Sequence, residues 1–158
     1  MENKTKVFFH KPQPEDLWFR EALRTDPGGA DRFDLREEEL LSRDGWEDWH
    51  GRWVKNPGKC FYRLVATGKS RSFVGEASWH YDDGRQIFLA EVVVMGKCRG
   101  QGYGSRALEM LCDEARKAGI RALHYEAAEE DPGVGWSLRH GFREVSRTAE
   151  TVLVIRKL

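Results

Sequence analysis

The rhythm of apolar and polar residues changes several times along the chain, and each rhythm predicts an element. Residues Ser72–Tyr81 alternate. Phe73, Ala77, Trp79 and Tyr81 fall on one side, with Glu76, Ser78 and His80 on the other, the two-residue period of a strand. Cys60–Thr67 reads as the strand before it, joined through the turn Gly68–Arg71. The sequence Asp82-Asp83-Gly84-Arg85 predicts an Asp-Gly hairpin turn. Gln86–Met95 is the next strand, apolar on both faces through Val92-Val93-Val94, which predicts a central strand buried on both sides.

The period then becomes helical. Leu108, Leu111, Cys112, Ala115 and Ala118 form one stripe at 3.6-residue spacing, and Gly119 is a natural residue to end that helix. Arg121–Ala127 predicts a strand, Glu129–Gly133 a loop and Val134–His140 a short helix stopped by Gly141. The remaining residues read as an antiparallel hairpin. Towards the N-terminus, Thr5–Phe9 predicts a short strand ended by Pro12 and Pro14, and Glu15–Leu23 a helix. Thr25–Asp31 is a Pro-Gly-Gly loop. Leu35–Ser42 and Trp46–Val54 read as further helices, the second with Asp44 as N-cap. The order is strand, helices, three strands, helix, strand, helix, two strands. It predicts an α/β (α+β) fold, a mixed sheet flanked by helices.

Composition narrows the partners. At 158 residues the chain, 1–158, is expected to be a single domain. Its 26 basic and 26 acidic residues cancel, which argues against a nucleic-acid partner. No apolar run approaches the roughly 20 residues of a membrane helix, so no membrane partner is expected. The N-terminal residues lack the apolar centre of a signal peptide. Three cysteines without Cys-x-x-Cys spacing suggest reduced thiols and a cytoplasmic location, and no metal is expected.

The chemistry-bearing stretch is Arg99-Gly100-Gln101-Gly102-Tyr103-Gly104-Ser105, set between the apolar strand and the helix. A phosphate-binding loop of the GxxxxGK[ST] type is excluded, because no Lys-Ser or Lys-Thr pair follows. A dinucleotide fingerprint fits poorly: the spacing is Gly-x-Gly-x-Gly, and it follows three strands in hairpin order. The third reading is Arg-x-x-Gly-x-Gly, a turn whose small residues let the backbone approach a pyrophosphate at a helix N-terminus. A tight strand-to-helix turn that binds nothing is the bland alternative.

With these residues and this element order, the sequence resembles the GNAT superfamily of acyl-CoA-dependent N-acyltransferases. The resemblance spans nearly the whole chain. It is sharpest from Leu89 to Leu108 and at Arg139–Glu144, where a Gly-Phe pair stands. It implies a mostly antiparallel, splayed central sheet with a bulge near the phosphate turn. It implies acetyl-CoA as cosubstrate, its pyrophosphate on the amides of Gly100, Gln101, Gly102, Tyr103, Gly104 and Ser105, with Arg99 adding charge. The backbone of Val92, Val93 and Val94 would pair with the pantetheine arm like an added strand.

Transfer of an acetyl group to an amine requires that the amine lose a proton. Glu91, in an apolar strand beside the pantetheine segment, is the first candidate base, unless it pairs with an arginine or faces away. Glu126 and His124 share one face of the next strand and could serve through a water, or simply cover the sheet. For the acid, the resemblance implies a Tyr four residues before the Gly-Phe pair, but Ser137 stands there. The Asn expected at the start of that segment is Glu130 or Asp131. That leaves Tyr125 or water to protonate the thiolate.

The segment Leu35–Trp53 would wall the acceptor. Its carboxylates and Trp46, Trp49 and Trp53 suit a cationic amine, yet the i, i+3, i+7 spacing equally predicts a core stripe with a solvated charged face. An exposed remainder of the stripe would offer a homodimer contact. The function expected is transfer of acetyl to a primary amine, most simply a small-molecule one. A CoA-binding regulatory module without catalysis, or an enzyme acting on protein N-termini or lysines, are the alternatives.

Overall fold

The computed structural model describes residues 6–26, 43–55, 58–68 and 72–158. Its strands are β1 (Val7–His10), β2 (Cys60–Thr67), β3 (Ser72–Asp82), β4 (Ile87–Val94), β5 (Ala122–Ala127), β6 (Arg143–Arg147) and β7 (Val152–Lys157). Its helices are α1 (Leu17–Thr25), α2 (Arg43–His50), α3 (Tyr103–Lys117) and α4 (Pro132–Arg139). The strands form one sheet in the order β1-β2-β3-β4-β5-β7-β6. Every neighbouring pair is antiparallel except β4 and β5, which run parallel. The mixed α/β sheet flanked by helices is therefore as the element order predicts. Among the described residues no helix is long and apolar enough to cross a membrane.

Each face of the sheet carries its own core. On one face Ala77 and Trp79 of β3, Ala90 of β4 and Leu123 of β5 pack against Ala107, Leu108, Leu111, Cys112 and Ala115 of α3 and Val134 of α4. Leu108, Leu111, Cys112 and Ala115 are the predicted stripe, which Ala107 joins and from which Ala118 drops out, exposed at the helix end. Gly119 follows with φ +80°, a left-handed conformation that a side chain would strain. On the opposite face Tyr62, Leu64 and Val93 pack against Phe19 and Leu23 of α1 and against Trp49, Trp53 and Val54. Trp49 and Trp53 stack with centroids 6.3 Å apart and are buried, so this part of the tryptophan stripe is core. The side chain of Trp46 and the predicted helix Leu35–Ser42 lie outside the described residues.

Several expectations need correction. Phe73 does not share a face with Ala77 and Trp79. The β2–β3 register slips between Val65 and Ala66: Val65 faces Gly75, but Ala66 faces Phe73. The skipped residue, Val74, joins the α3-side core, and Phe73 is turned to the α1 side, where its ring lies 5.4 Å from Phe19. A bulge thus reverses side-chain parity within one strand. The bulge implied for β4 is absent from its pairing with β3, which runs without a slip from Gly75↔Val94 to Asp82↔Ile87. Asp44 does not cap α2, which already includes Arg43, and that helix continues as a π-turn over Gly51–Lys55. In the hairpin the left-handed residue is Gln86, at φ +57°, and not Gly84. The Asp82 carboxylate makes the turn instead, accepting from the amides of Gly84 and Arg85 at 3.0 and 3.2 Å. α4 begins at Pro132, two residues earlier than predicted, because Asp131 caps it by accepting from the Gly133 amide at 2.7 Å.

Candidate active site

The parallel pair β4–β5 is the thinnest joint in the sheet. It has one registered pair, Leu89↔His124, and beyond it the two strands part. Beyond Ala90, β4 has no registered backbone partner on that side. The Met95 amide bonds to the Val74 carbonyl at 2.8 Å, which makes Val74–Met95 a hydrogen-bonded pair. Antiparallel pairs alternate, so Leu89, Glu91 and Val93 spend their backbone groups on β3; the Ala90 amide is taken up in the Leu89↔His124 pairing, and the amides of Val92 and Val94 face the gap. Gly75 lets the strands come this close: a Cβ there would collide with the Val93 carbonyl oxygen. On the α3 side, Val92, Val94, Tyr125, Ala127 and Trp136 line the region only partly buried.

The chain leaves β4 through a short 3₁₀ turn, Gly96–Cys98, tied down by the Asp26 carboxylate, which accepts from the Gly96 amide at 2.8 Å. The glycine-rich turn follows. Gly100 and Gly102 have φ of +80° and +82°, and a Cβ at either would meet nothing within 4 Å. These two glycines serve the backbone's left-handed bends and an open surface. Gly102 is the N-cap of α3 and brings no side-chain cap. The first-turn amides of α3 are consequently left to an outside acceptor, at the positive end of a 15-residue helix. Gly104 has a different role: a Cβ would sit 3.3 Å from the Trp136 ring and 3.5 Å from Val94, so its small size seats the helix against both.

Three side chains of the turn are directed at the protein. The Arg99 Nε donates to the Val94 carbonyl at 3.1 Å. The Tyr103 hydroxyl donates to Gln101 Oε1 at 3.1 Å. The Ser105 hydroxyl pairs with His140 Nε2 at 2.7 Å, while His140 Nδ1 faces the Trp136 carbonyl at 2.7 Å. The Trp136 carbonyl can only accept, so Nδ1 donates to it, and Nε2 of the neutral ring accepts the hydrogen bond of the Ser105 hydroxyl.

The candidate bases converge on the other face of the sheet. Leu89 and Glu91 share the side of β4 that carries Val93, and His124 and Glu126 share the corresponding side of β5. Glu91 is half-buried, opposite Ser78. His124 is 9% exposed, and its Nδ1 is buried without a partner. Burial, and after it the charge of Arg85, holds the His124 pKa below the ordinary imidazole value, so the ring is neutral at neutral pH. Glu126 is differently placed. Arg85 reaches from the hairpin and grips it at both oxygens, 2.7 and 3.2 Å, while also bonding Asp82 at 2.8 Å. In the sequence Arg85 reads only as part of a turn.

A second polar cluster leaves no local mark in the sequence. Glu76, Arg20 and Tyr62 are buried together beneath α1 and α2. Glu76 Oε2 accepts from the Tyr62 hydroxyl and from Arg20 Nε, the latter at 3.3 Å. Burial raises the Glu76 pKa, and the Arg20 charge opposes this. The Arg20 guanidinium lies 5.1 Å from the Trp49 ring centroid and 4.9 Å from that of Tyr62. The aromatic face that could have greeted a cationic acceptor at Trp49 therefore holds the protein's own cation. Ser137 is equally occupied: it is 2% exposed, and its hydroxyl donates to the Val134 carbonyl at 2.7 Å.

Solved structures share this architecture. The PaiA N-acetyltransferase of Thermoplasma acidophilum, in complex with coenzyme A, superposes with a TM-score of 0.73 at 13% identity, over 97% of this chain and 99% of that one. A spermidine N-acetyltransferase chimera from Vibrio cholerae gives a TM-score of 0.72 at 12% identity, over 96% and 95%. A ribosomal-protein-alanine N-acetyltransferase from Brucella melitensis gives 0.69 at 17% identity, over 96% and 99%. At these identities the likeness is one of fold. The family model described as Acetyltransferase (GNAT) family matches residues 16–142, which run from the foot of α1 through the strand joint and the glycine turn to the Gly-Phe pair. The chain belongs to the GNAT acetyltransferase family.

Proposed function

We propose that residues 1–158 form one acyl-CoA-dependent N-acetyltransferase domain that moves an acetyl group from acetyl-CoA to the primary amine of a small molecule. The observation that carries this reading is two sets of open backbone donors, the Val92 and Val94 amides on the open edge of β4 and the uncapped first-turn amides of α3. Such an arrangement fits a ligand with amides along its arm and a pyrophosphate at its end. The side chains leave room for it, since the two left-handed glycines face open space. When bound, acetyl-CoA supplies the activated acetyl carbonyl.

The chain's own residues have two tasks. The open β4 amides orient the arm and offer a donor to the carbonyl oxygen as it gains charge. A base on the opposite face takes the proton from the incoming ammonium. Glu91 is the proposed acceptor of that proton, and His124, kept neutral by burial, is its partner through a water. Glu126, held at both oxygens, acts as a strut between the hairpin and β5.

Calorimetric titration tests the reading. Acetyl-CoA is expected to bind with micromolar or tighter affinity while NADH and ATP do not. Gly102→Glu, which strains a left-handed position and adds a negative charge to the turn, is expected to abolish binding. Retained affinity in that variant would remove the turn from the site. Turnover on an amine panel follows. Reaction with peptides but not with small amines would move the acceptor to the protein class, and binding without turnover on either would leave a CoA-binding module.

A further inference from the structure

The departing thiolate needs a proton, and two observations locate one on the α3 side of the gap. The first is closure of the obvious hydroxyl. Ser137 is buried and bonded to its own helix, so its proton is committed to the Val134 carbonyl. The second is a notch made for a different hydroxyl. Tyr125 is the first β5 residue beyond Leu89↔His124, where the strands part. Its side chain takes the face opposite His124 and leans on the α3-side core without being fully buried. The phenol reaches the first turn of α4 at Gly133. A Cβ on Gly133 would collide with the Tyr125 oxygen and come within 3.0 Å of Cζ. Only glycine at that position admits the phenol where it lies.

We propose that Tyr125 is the catalytic acid of this site, a reading that rests on the acetyltransferase function proposed above. The acyl arm enters along Val94 and Val92, so its thioester end lies towards the closed end of the gap, and Tyr125 is the first polar side chain of β5 on that side. The acceptor nitrogen forms its bond to the acetyl carbon and the carbon–sulfur bond breaks, its electron pair leaving with sulfur. Tyr125 gives its hydroxyl proton to that sulfur. The second proton shed by the acceptor nitrogen returns through solvent to the phenolate, so the products are amide and free thiol and the enzyme is restored. Asp131 caps α4 through the Gly133 amide and so holds the notch in place.

Three variants, each checked for unaltered thermal unfolding, test the assignment with acetyl-CoA and the best amine of the panel. Tyr125→Phe is expected to lower kcat about tenfold or more, leave the acetyl-CoA Kd within about twofold, and remove the fall of kcat at alkaline pH where a phenol ionises. Gly133→Ala, which pushes the phenol out of the notch, is expected to lower kcat in the same way with a similar Kd. Ser137→Ala is expected to keep the wild-type alkaline limb. Full turnover of Tyr125→Phe with an unchanged alkaline limb would overturn the proposal while leaving acetyltransfer intact. Failure of the wild-type protein to bind acetyl-CoA would instead overturn the function on which it rests.

Discussion

At the scale of single residues, the informative side chains are those whose surroundings oppose their chemistry. His124 is polar, buried and short of one partner, on a strand otherwise built for packing. Its lowered pKa means that the folded chain binds fewer protons there than the unfolded chain does. The stability associated with the neutral ring is full above the ordinary value of 6.5 and is lost as pH falls from there through the lower folded value. In a denaturant titration, His124→Gln is therefore expected to flatten the loss of stability below pH 6.5, and an unchanged acid slope would show that His124 is not its source. Glu76 shows the opposite sign, its carboxyl raised by burial and steadied by Arg20 and Tyr62. Removing one member of such a buried set is more damaging than replacing the set with apolar groups, because a lone buried charge remains.

At the scale of elements, Gly75 decides how closely β3 approaches β4. Gly75→Ala would press a methyl against the Val93 backbone, which has no rotamer with which to yield. A cost on the order of 1–3 kcal/mol is expected in chemical denaturation, with weaker acetyl-CoA binding because Val92 and Val94 shift with the strand. Gly84→Ala is the control: its Cβ would lie 3.4 Å from Asp82 Oδ1, an ordinary contact, and should change little.

The elements also show what could be read from the chain. Cys60–Thr67 is legible as a strand-length run of mostly apolar and aromatic residues, and the α3 stripe as a helical period sustained over several turns. The glycine turn is legible because closely spaced glycines stand between an apolar strand and a helical stripe. Phe73 is not, since the slip that turns it over arises between two strands and leaves no mark on either alone. Arg85 is obscured for a related reason, since it acquires its role only when the hairpin meets β5. Tyr125 is a candidate acid in the sequence, but the notch that seats its phenol exists only once α4 packs against β5.

At the scale of the whole molecule, the sheet consists of two antiparallel parts, β1–β4 and β5–β7, whose backbones register at one pair and which the Arg85–Glu126 bridge and the α3-side core also join. A ligand laid along the open edge of β4 would act as the missing rung between them. Amide hydrogen exchange should report this. Acetyl-CoA is expected to slow exchange at Val92 and Val94 strongly, and to change Glu91 and Val93 little, since β3 already holds their amides. Equal protection at all four positions would contradict the alternation on which the site is built.

The position of β7 carries a further meaning for how the molecule comes into being. Val152–Lys157 are the last strand in the sequence, yet they lie between β5 and β6, paired with β5 along its whole length from Ala122↔Lys157 to Ala127↔Val152. During synthesis the ribosome must release those six residues before the strand bearing His124, Tyr125 and Glu126 gains its second neighbour. Until then β5 has one rung on one side and an exposed edge on the other. The β5–β7 part of the sheet is thus completed late, and a nascent chain that stalls before Val152 presents that bare edge to any strand nearby.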